Sequence, residues 1–93
     1  MVVGVLTVDM HFAECTSLKE KRTHLNRLRD RLRQRFNLSV GEVAYQDLWQ
    51  RTRLGLAHVN TSAREAETVL HRALELIDAY HGGDVLEHEL TWS

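Results

Sequence analysis

Ninety-three residues, 43% apolar and 27% charged, suit one small globular domain and leave little room for a deep catalytic cleft. Twelve Lys and Arg against thirteen Asp and Glu give a net charge of −1, which taken whole speaks against a general nucleic-acid binder. The absence of proline excludes a Pro-rich linker or tail, and the single Cys15 excludes an internal disulfide and a cysteine metal cluster.

The first predicted element is a strand from Val2 to Phe12. Leu6, Val8, Met10 and Phe12 recur at period two, with Thr7, Asp9 and His11 between them, so one face is buried. Ser17-Leu18-Lys19-Glu20 has the spacing of a capping box: the Ser17 hydroxyl takes a free amide of the first turn and Glu20 reaches back. A helix follows to about Arg35, with Leu18, Leu25, Leu28, Leu32 and Phe36 as its apolar stripe. A second strand fits Leu38 to Tyr45 and a third fits Gln50 to Asn60. Gln46-Asp47-Leu48-Trp49 is the hairpin between them, short enough for an antiparallel pair. Ser62-Ala63-Arg64-Glu65 is a second capping box. It opens a helix with Ala66, Val69, Leu70, Ala73, Ile77 and Tyr80 on one face, and His81-Gly82-Gly83 supplies its stop. From Asp84 to Trp92, Leu86, Leu90 and Trp92 alternate with polar residues as a last strand.

The order βαββαβ predicts a split βαβ, ferredoxin-like α+β sandwich spanning residues 1–93 as a single domain. Right-handed crossovers place both helices on one face of a four-stranded antiparallel sheet and leave the other face open. An arrangement with the first strand at an edge is the rival. Either fold is silent on function.

The net charge hides a split. Residues 16–35 hold Lys19, Lys21, Arg22, Arg27, Arg29, Arg31, Arg33 and Arg35 against Glu20 and Asp30, a balance of +6, whereas residues 64–93 carry −5. At ~100° per residue, Arg27, Arg31 and Arg35 with His24 form one ridge beside the leucine stripe, and Arg22, Arg29 and Arg33 form another. Lys19 and Lys21 sit in the first turn, where the helix dipole disfavours cations by ~0.3–1 kcal/mol each. Two uses fit this charge. Arginine stems cover apolar surface while their heads stay wet, or the helix meets an anionic partner, foremost RNA. In the second case Arg27, Arg31 and Arg35 contact phosphates, and Lys19, Lys21 and Arg22 extend the patch.

The open sheet face lacks the paired aromatics with which RNA-recognition motifs stack bases. The third strand has no aromatic, and parity sends Phe12 to the core. That face offers Val3, Val5 and Thr7, with either Leu54 and Leu56 or Ala57 and Val59, and such an aliphatic patch suits self-association. No catalytic set, phosphate loop or cofactor motif is visible. Cys15 has no triad partner, and His11, His58 and His88 would meet only if they shared a face. Trp49, with Gln50 and Arg51, is a candidate partner anchor, since Trp and Arg are enriched in binding hot spots. Alternatively Trp49 folds back over the core, and Gln46, Asp47 and Gln50 bind the turn backbone.

Ser17-Leu18-Lys19-Glu20-Lys21-Arg22, then Arg35-Phe36-Asn37-Leu38-Ser39-Val40-Gly41-Glu42-Val43, resemble the YlxP-like family of small bacterial proteins. Gln46-Asp47-Leu48-Trp49-Gln50-Arg51 and Leu54-Gly55 extend the resemblance over nearly the whole chain, with Tyr45 standing where a more polar residue, often His, is expected. The resemblance implies a ferredoxin-like sandwich of unknown function. It also implies a gene setting beside translation initiation factor two and ribosome-binding factor A, with no catalytic residue to carry over.

The expectation is a non-enzymatic, RNA- or ribosome-associated module, without cofactor, metal or small-molecule substrate. The alternative is a homo-oligomeric interaction module using the open sheet face. A first segment without a basic start, reaching Asp9 early, and the lack of any apolar run near ~20 residues point to a cytoplasmic protein without a membrane partner.

Overall fold

The computed structural model describes all residues from Met1 to Ser93. The chain runs β1 (Val2–His11), α1 (Leu18–Arg35), β2 (Ser39–Ala44), β3 (Arg51–Asn60), α2 (Ala63–Asp78) and β4 (Asp84–Trp92). The sheet order is β2-β3-β1-β4, with every pair antiparallel. β1 is central, which removes the rival with a first strand at the edge. The arrangement is the ferredoxin-like sandwich that the alternating pattern predicts.

Alternation along the strands places the core. Leu6, Val8, Met10 and Phe12 of β1 and its extension meet Leu54 and Leu56 of β3, Val40 of β2, and the leucine stripe of α1. α2 adds Leu70, Ala73 and Ile77 to the same layer, and Tyr80 closes it just beyond the helix end. Glycine is required where elements approach closely: a Cβ on Gly4 would lie 2.6 Å from Leu70 Cδ1, and Trp92 packs over the same spot. Gly82, at φ 117°, turns the chain into β4 beneath the His24 ring.

The third strand takes one of the two open parities. Leu54 and Leu56 face the helices, so Ala57 and Val59 lie on the open face with Val3 and Val5. Cross-strand pairs on that face run from Val3–Val59 and Val5–Ala57, through Thr7–Gly55, to Asp9–Arg53 and His11–Arg51. The face thus grades from aliphatic at one end to charged at the other.

β4 corrects one expectation. Its register against β1 shifts between Asp9 and Met10, so Leu86 is the extra residue of a bulge and stays exposed. Val85 packs against the core in its place, alongside the expected Leu90. The three strand histidines do not converge: His11 is on the open face, while His58 pairs opposite Gly4 and His88 opposite Val8 on the helix side.

Candidate nucleic-acid interface

The first turn of α1 is built as the capping box predicts, with one difference. The Ser17 hydroxyl accepts from the Glu20 amide at 3.1 Å, but Glu20 reaches past Ser17 to Thr16, accepting from its amide at 3.1 Å and its hydroxyl at 2.8 Å. These bonds hold the Glu20 carboxyl below its ordinary value. At α2 the Ser62 hydroxyl accepts from the Glu65 amide, while the Ser62 amide donates to Asn60 Oδ1 instead of to Glu65.

Lys21 corrects a second expectation. It is 1% exposed and cannot contact phosphate. Its position continues the stripe of Leu25, Leu28 and Leu32, so α1 delivers the stem into the core and the ammonium to the far end of the sheet. There Nζ donates to the carbonyls of Tyr45 and Leu48 at 2.7 Å each and, more weakly, to Gln46 at 3.4 Å. Glu42 Oε2 sits 2.8 Å away and also accepts from the Thr52 hydroxyl at 2.6 Å. A buried ammonium needs such a set of acceptors to offset its desolvation. Here the set is the β2–β3 loop, whose carbonyls turn inward and whose Tyr45 takes a φ of 62°, unusual for a residue with a side chain.

Gln50 corrects a third. Its side-chain amide donates to the carbonyls of Ala13 and Cys15 at 3.1 and 3.2 Å, and its own carbonyl accepts from the Phe12 amide at 2.8 Å. Gln50 therefore stitches the β2–β3 loop to the β1–α1 loop. Arg51 is also engaged: its guanidinium lies 4.7 Å from the Tyr45 ring centre and 3.7 Å from Asp9. Trp49 alone of the three predicted anchors presents its side chain freely. It is 52% exposed, beside a 49% exposed Leu48, and the core is closed without it. A shallow depression of about 410 Å³ lies among Asp47, Leu48, Trp49, Gln50 and Arg51.

The other predicted basic residues stand on the surface. Lys19, Arg22, Arg27, Arg31 and Arg35 are exposed. None of them, nor Arg29 or Arg33, lies within 4 Å of a carboxylate, because the ion pairs of the molecule involve Lys21, Arg51, Arg53 and His71. Arg31 partly leans on the Tyr80 ring, 5.3 Å from its centre, in a cluster where His24 bonds the Tyr80 hydroxyl and stacks on Phe12. α1 thus carries an unpaired cationic surface about 27 Å long, from 18 residues at ~1.5 Å each. The stitched loop holding Trp49 sits at its N-terminal end.

One cluster escaped the sequence reading. On the open face, Arg53 grips Asp9 with two bonds, Nε to Oδ1 at 2.6 Å and Nη2 to Oδ2 at 3.2 Å, and stacks on Tyr45. The Arg53 hydrogen bonds hold the Asp9 carboxyl below its ordinary value, the charges of Arg53 and Arg51 add to this, and burial opposes it. Opposite-charge residues at facing positions would have signalled the pair had the β1–β3 register been known. Cys15 is buried, and burial pushes its thiol up, so it is held protonated rather than poised for attack. No helix is long and apolar enough to cross a membrane.

The family model for "Protein of unknown function (DUF503)" matches residues 3–90. The "Uncharacterized protein YlxP" of Bacillus subtilis (strain 168) is 45% identical over 76 residues, covering 74% of this chain and 83% of that protein. Among solved structures, the de novo designed protein Ferredog-Diesel is similar at a TM-score of 0.54 and 13% identity, over 96% of this chain and 83% of that one. A dimeric ferredoxin-like protein from an uncultured marine organism is similar at a TM-score of 0.42 and 13% identity, over 99% and 86%. The chain belongs to the DUF503 family, small proteins whose function is not established.

Proposed function

We propose that this DUF503 protein acts by binding rather than by catalysis, and that its partner is RNA, alone or within the ribosome. The observation that carries the reading is the unpaired basic surface of α1: Lys19, Arg22, Arg27, Arg31 and Arg35 are exposed with no carboxylate within 4 Å of their charged groups. Solvated surface arginines cost little, yet residues 16–35 carry a balance of +6 while the acids that offset it are concentrated in the last 30 residues. Phosphates supply the missing anions, and their contact is positional rather than base-specific. The buried Lys21 is no part of this surface.

Filter binding to ribosomal RNA fragments across a salt series tests the reading. With about five phosphate contacts to single strands, affinity is expected to fall about a hundredfold between 50 and 200 mM salt. Reversal of Arg27, Arg31 and Arg35 to Glu is expected to abolish binding. Reversal of Arg64 and Arg72 on α2 is expected to leave it intact. No binding at low salt, or equal loss from both reversals, refutes it.

A second reading has its own observation. Val3, Val5, Ala57, Val59 and Val43 bring the aliphatic ends of three strands together on the open face, with Val43 57% and Val59 52% exposed. A two-fold interface would lay this patch on its own copy without opposing like charges. It leaves α1 free, since the helices occupy the other side of the sheet. Light scattering at high protein concentration reads it directly: a dimer that Val59→Arg dissolves supports it, and a monomer throughout refutes it.

A further inference from the structure

The β2–β3 loop is held more firmly than a hairpin of its length requires. Lys21 pins the carbonyls of Tyr45 and Leu48 from below, and Gln50 and the Phe12 amide tie its end to residues 12–15. The apolar side chains of this stitched segment, Leu48 and Trp49, nevertheless face solvent. Rigidity that does not serve burial serves presentation, because a loop backbone already held in place loses little freedom when a partner docks on the side chain it carries. The same Lys21 that fixes the loop belongs to the first turn of α1, so the loop that carries the ring stands at the N-terminal end of the basic helix. The ring's immediate surroundings differ from that helix in charge. Asp47 lines the depression next to Trp49, and Arg51 there is already shared between Asp9 and Tyr45. A phosphate is therefore favoured on α1 and disfavoured at the loop, whereas a neutral flat ring is favoured at the loop.

We infer that Trp49 is a stacking platform for an unpaired nucleobase, and that the RNA bound along α1 is single-stranded or looped at that end. The inference rests on the phosphate-binding role of α1. Stacking on an exposed aromatic tolerates any base, because every base offers a π face. It is closed to bases inside a duplex, which are already stacked on their neighbours. The open sheet face, where this fold more commonly stacks bases, has its aromatic Tyr45 occupied by Arg51 and Arg53.

The test uses the full chain carrying Trp92→Phe, so that Trp49 is the sole tryptophan. The probes are a single-stranded RNA oligonucleotide, the same length of RNA duplex, and inorganic polyphosphate. Single-stranded RNA is expected to quench Trp49 emission, and polyphosphate is expected to bind without quenching. Trp49→Ala is expected to weaken single-stranded RNA about five- to a hundredfold while leaving polyphosphate unchanged, and Trp49→Phe is expected to restore most of the loss. Trp49→Ala binding single-stranded RNA as tightly as the parent overturns the inference but leaves the phosphate role of α1 standing. Equal loss for duplex and single strand likewise overturns it alone. Failure of all three probes to bind at low salt overturns both.

Discussion

The two βαβ halves can be laid over one another residue by residue through their helices. From the capping serine, core-facing positions fall at the same four steps in each: Lys21, Leu25, Leu28 and Leu32 after Ser17, and Ala66, Leu70, Ala73 and Ile77 after Ser62. At the first step the halves part company. Where α2 places a methyl group against the sheet, α1 places an ammonium, and the strand ends it faces differ to match. The β2–β3 connection needs its carbonyls collected, and Lys21 collects them. The lesson is that one buried charge can belong to a loop rather than to a ligand, even on the most basic helix of the chain.

Exchange at the first step is the sharpest way to break the comparison. Lys21→Met keeps the stem and removes the charge, leaving Glu42 and the loop carbonyls without their donor. A loss of about 3–5 kcal/mol is expected in urea denaturation. Adding Glu42→Leu to that variant removes the stranded carboxylate and is expected to recover part of it. A loss below about 1 kcal/mol for Lys21→Met, the scale of exposed ion pairs, would mean that the loop stands without its anchor. The reciprocal change, Ala66→Lys, puts an ammonium into a fully buried place and is expected to cost at least as much.

The position of Lys21 was legible in the sequence, but its role was not. Helical spacing sets it about 40° from Leu25, inside the apolar stripe, while its charge argued for the surface. Geometry outranks residue type here, because a long stem can bury its carbons and still deliver its charge to acceptors at the far end. Those acceptors are backbone carbonyls of Tyr45 and Leu48, and any sequence has carbonyls, so nothing in the side chains announces them. The βαββαβ order and the capping serines could be read from periodicity and spacing alone. The bulge at Leu86 could not, since an alternating pattern does not say where one extra residue has been absorbed. The exposed arginines of α1 were also readable, because ridges either side of a leucine stripe have nowhere else to point.

The open face sharpens the comparison through β1 and β3, the central strands of the two halves, which meet there at Asp9 and Arg53. Asp9→Asn is expected to cost about 1.5–3 kcal/mol at neutral pH, the range for hydrogen bonds to a charged group. The folded carboxyl lies below its ordinary value of 3.8, so the stabilisation is complete above that value. It is lost as pH falls through the lower folded value, since the protonated acid no longer holds Arg53 as an ion. The gap between parent and Asp9→Asn should therefore close on the acid side of 3.8 and stay constant above it. A gap that stays open under acid would assign the loss to packing rather than to charge.

The smallest expected difference lies at the caps, where sequence says the halves are equal and structure says they are not. Ser17 and Ser62 each accept an amide from the residue three places on, and removal of either hydroxyl by Ala is expected to cost about 1 kcal/mol. The glutamates differ. Glu20 binds both the amide and the hydroxyl of Thr16, whereas Asn60 performs that office for Ser62 and leaves Glu65 without it. Glu20→Ala is thus expected to lower the Tm measurably, and Glu65→Ala to lower it less. The Glu20 contribution should fade as pH falls through its lowered value, because a protonated carboxyl accepts more weakly from the Thr16 amide. Equal effects from the two substitutions would show that only the shared first-turn position matters. Unequal effects would show that the first half is tied down at its helix entry, beside the loop that Lys21 holds, more tightly than its twin.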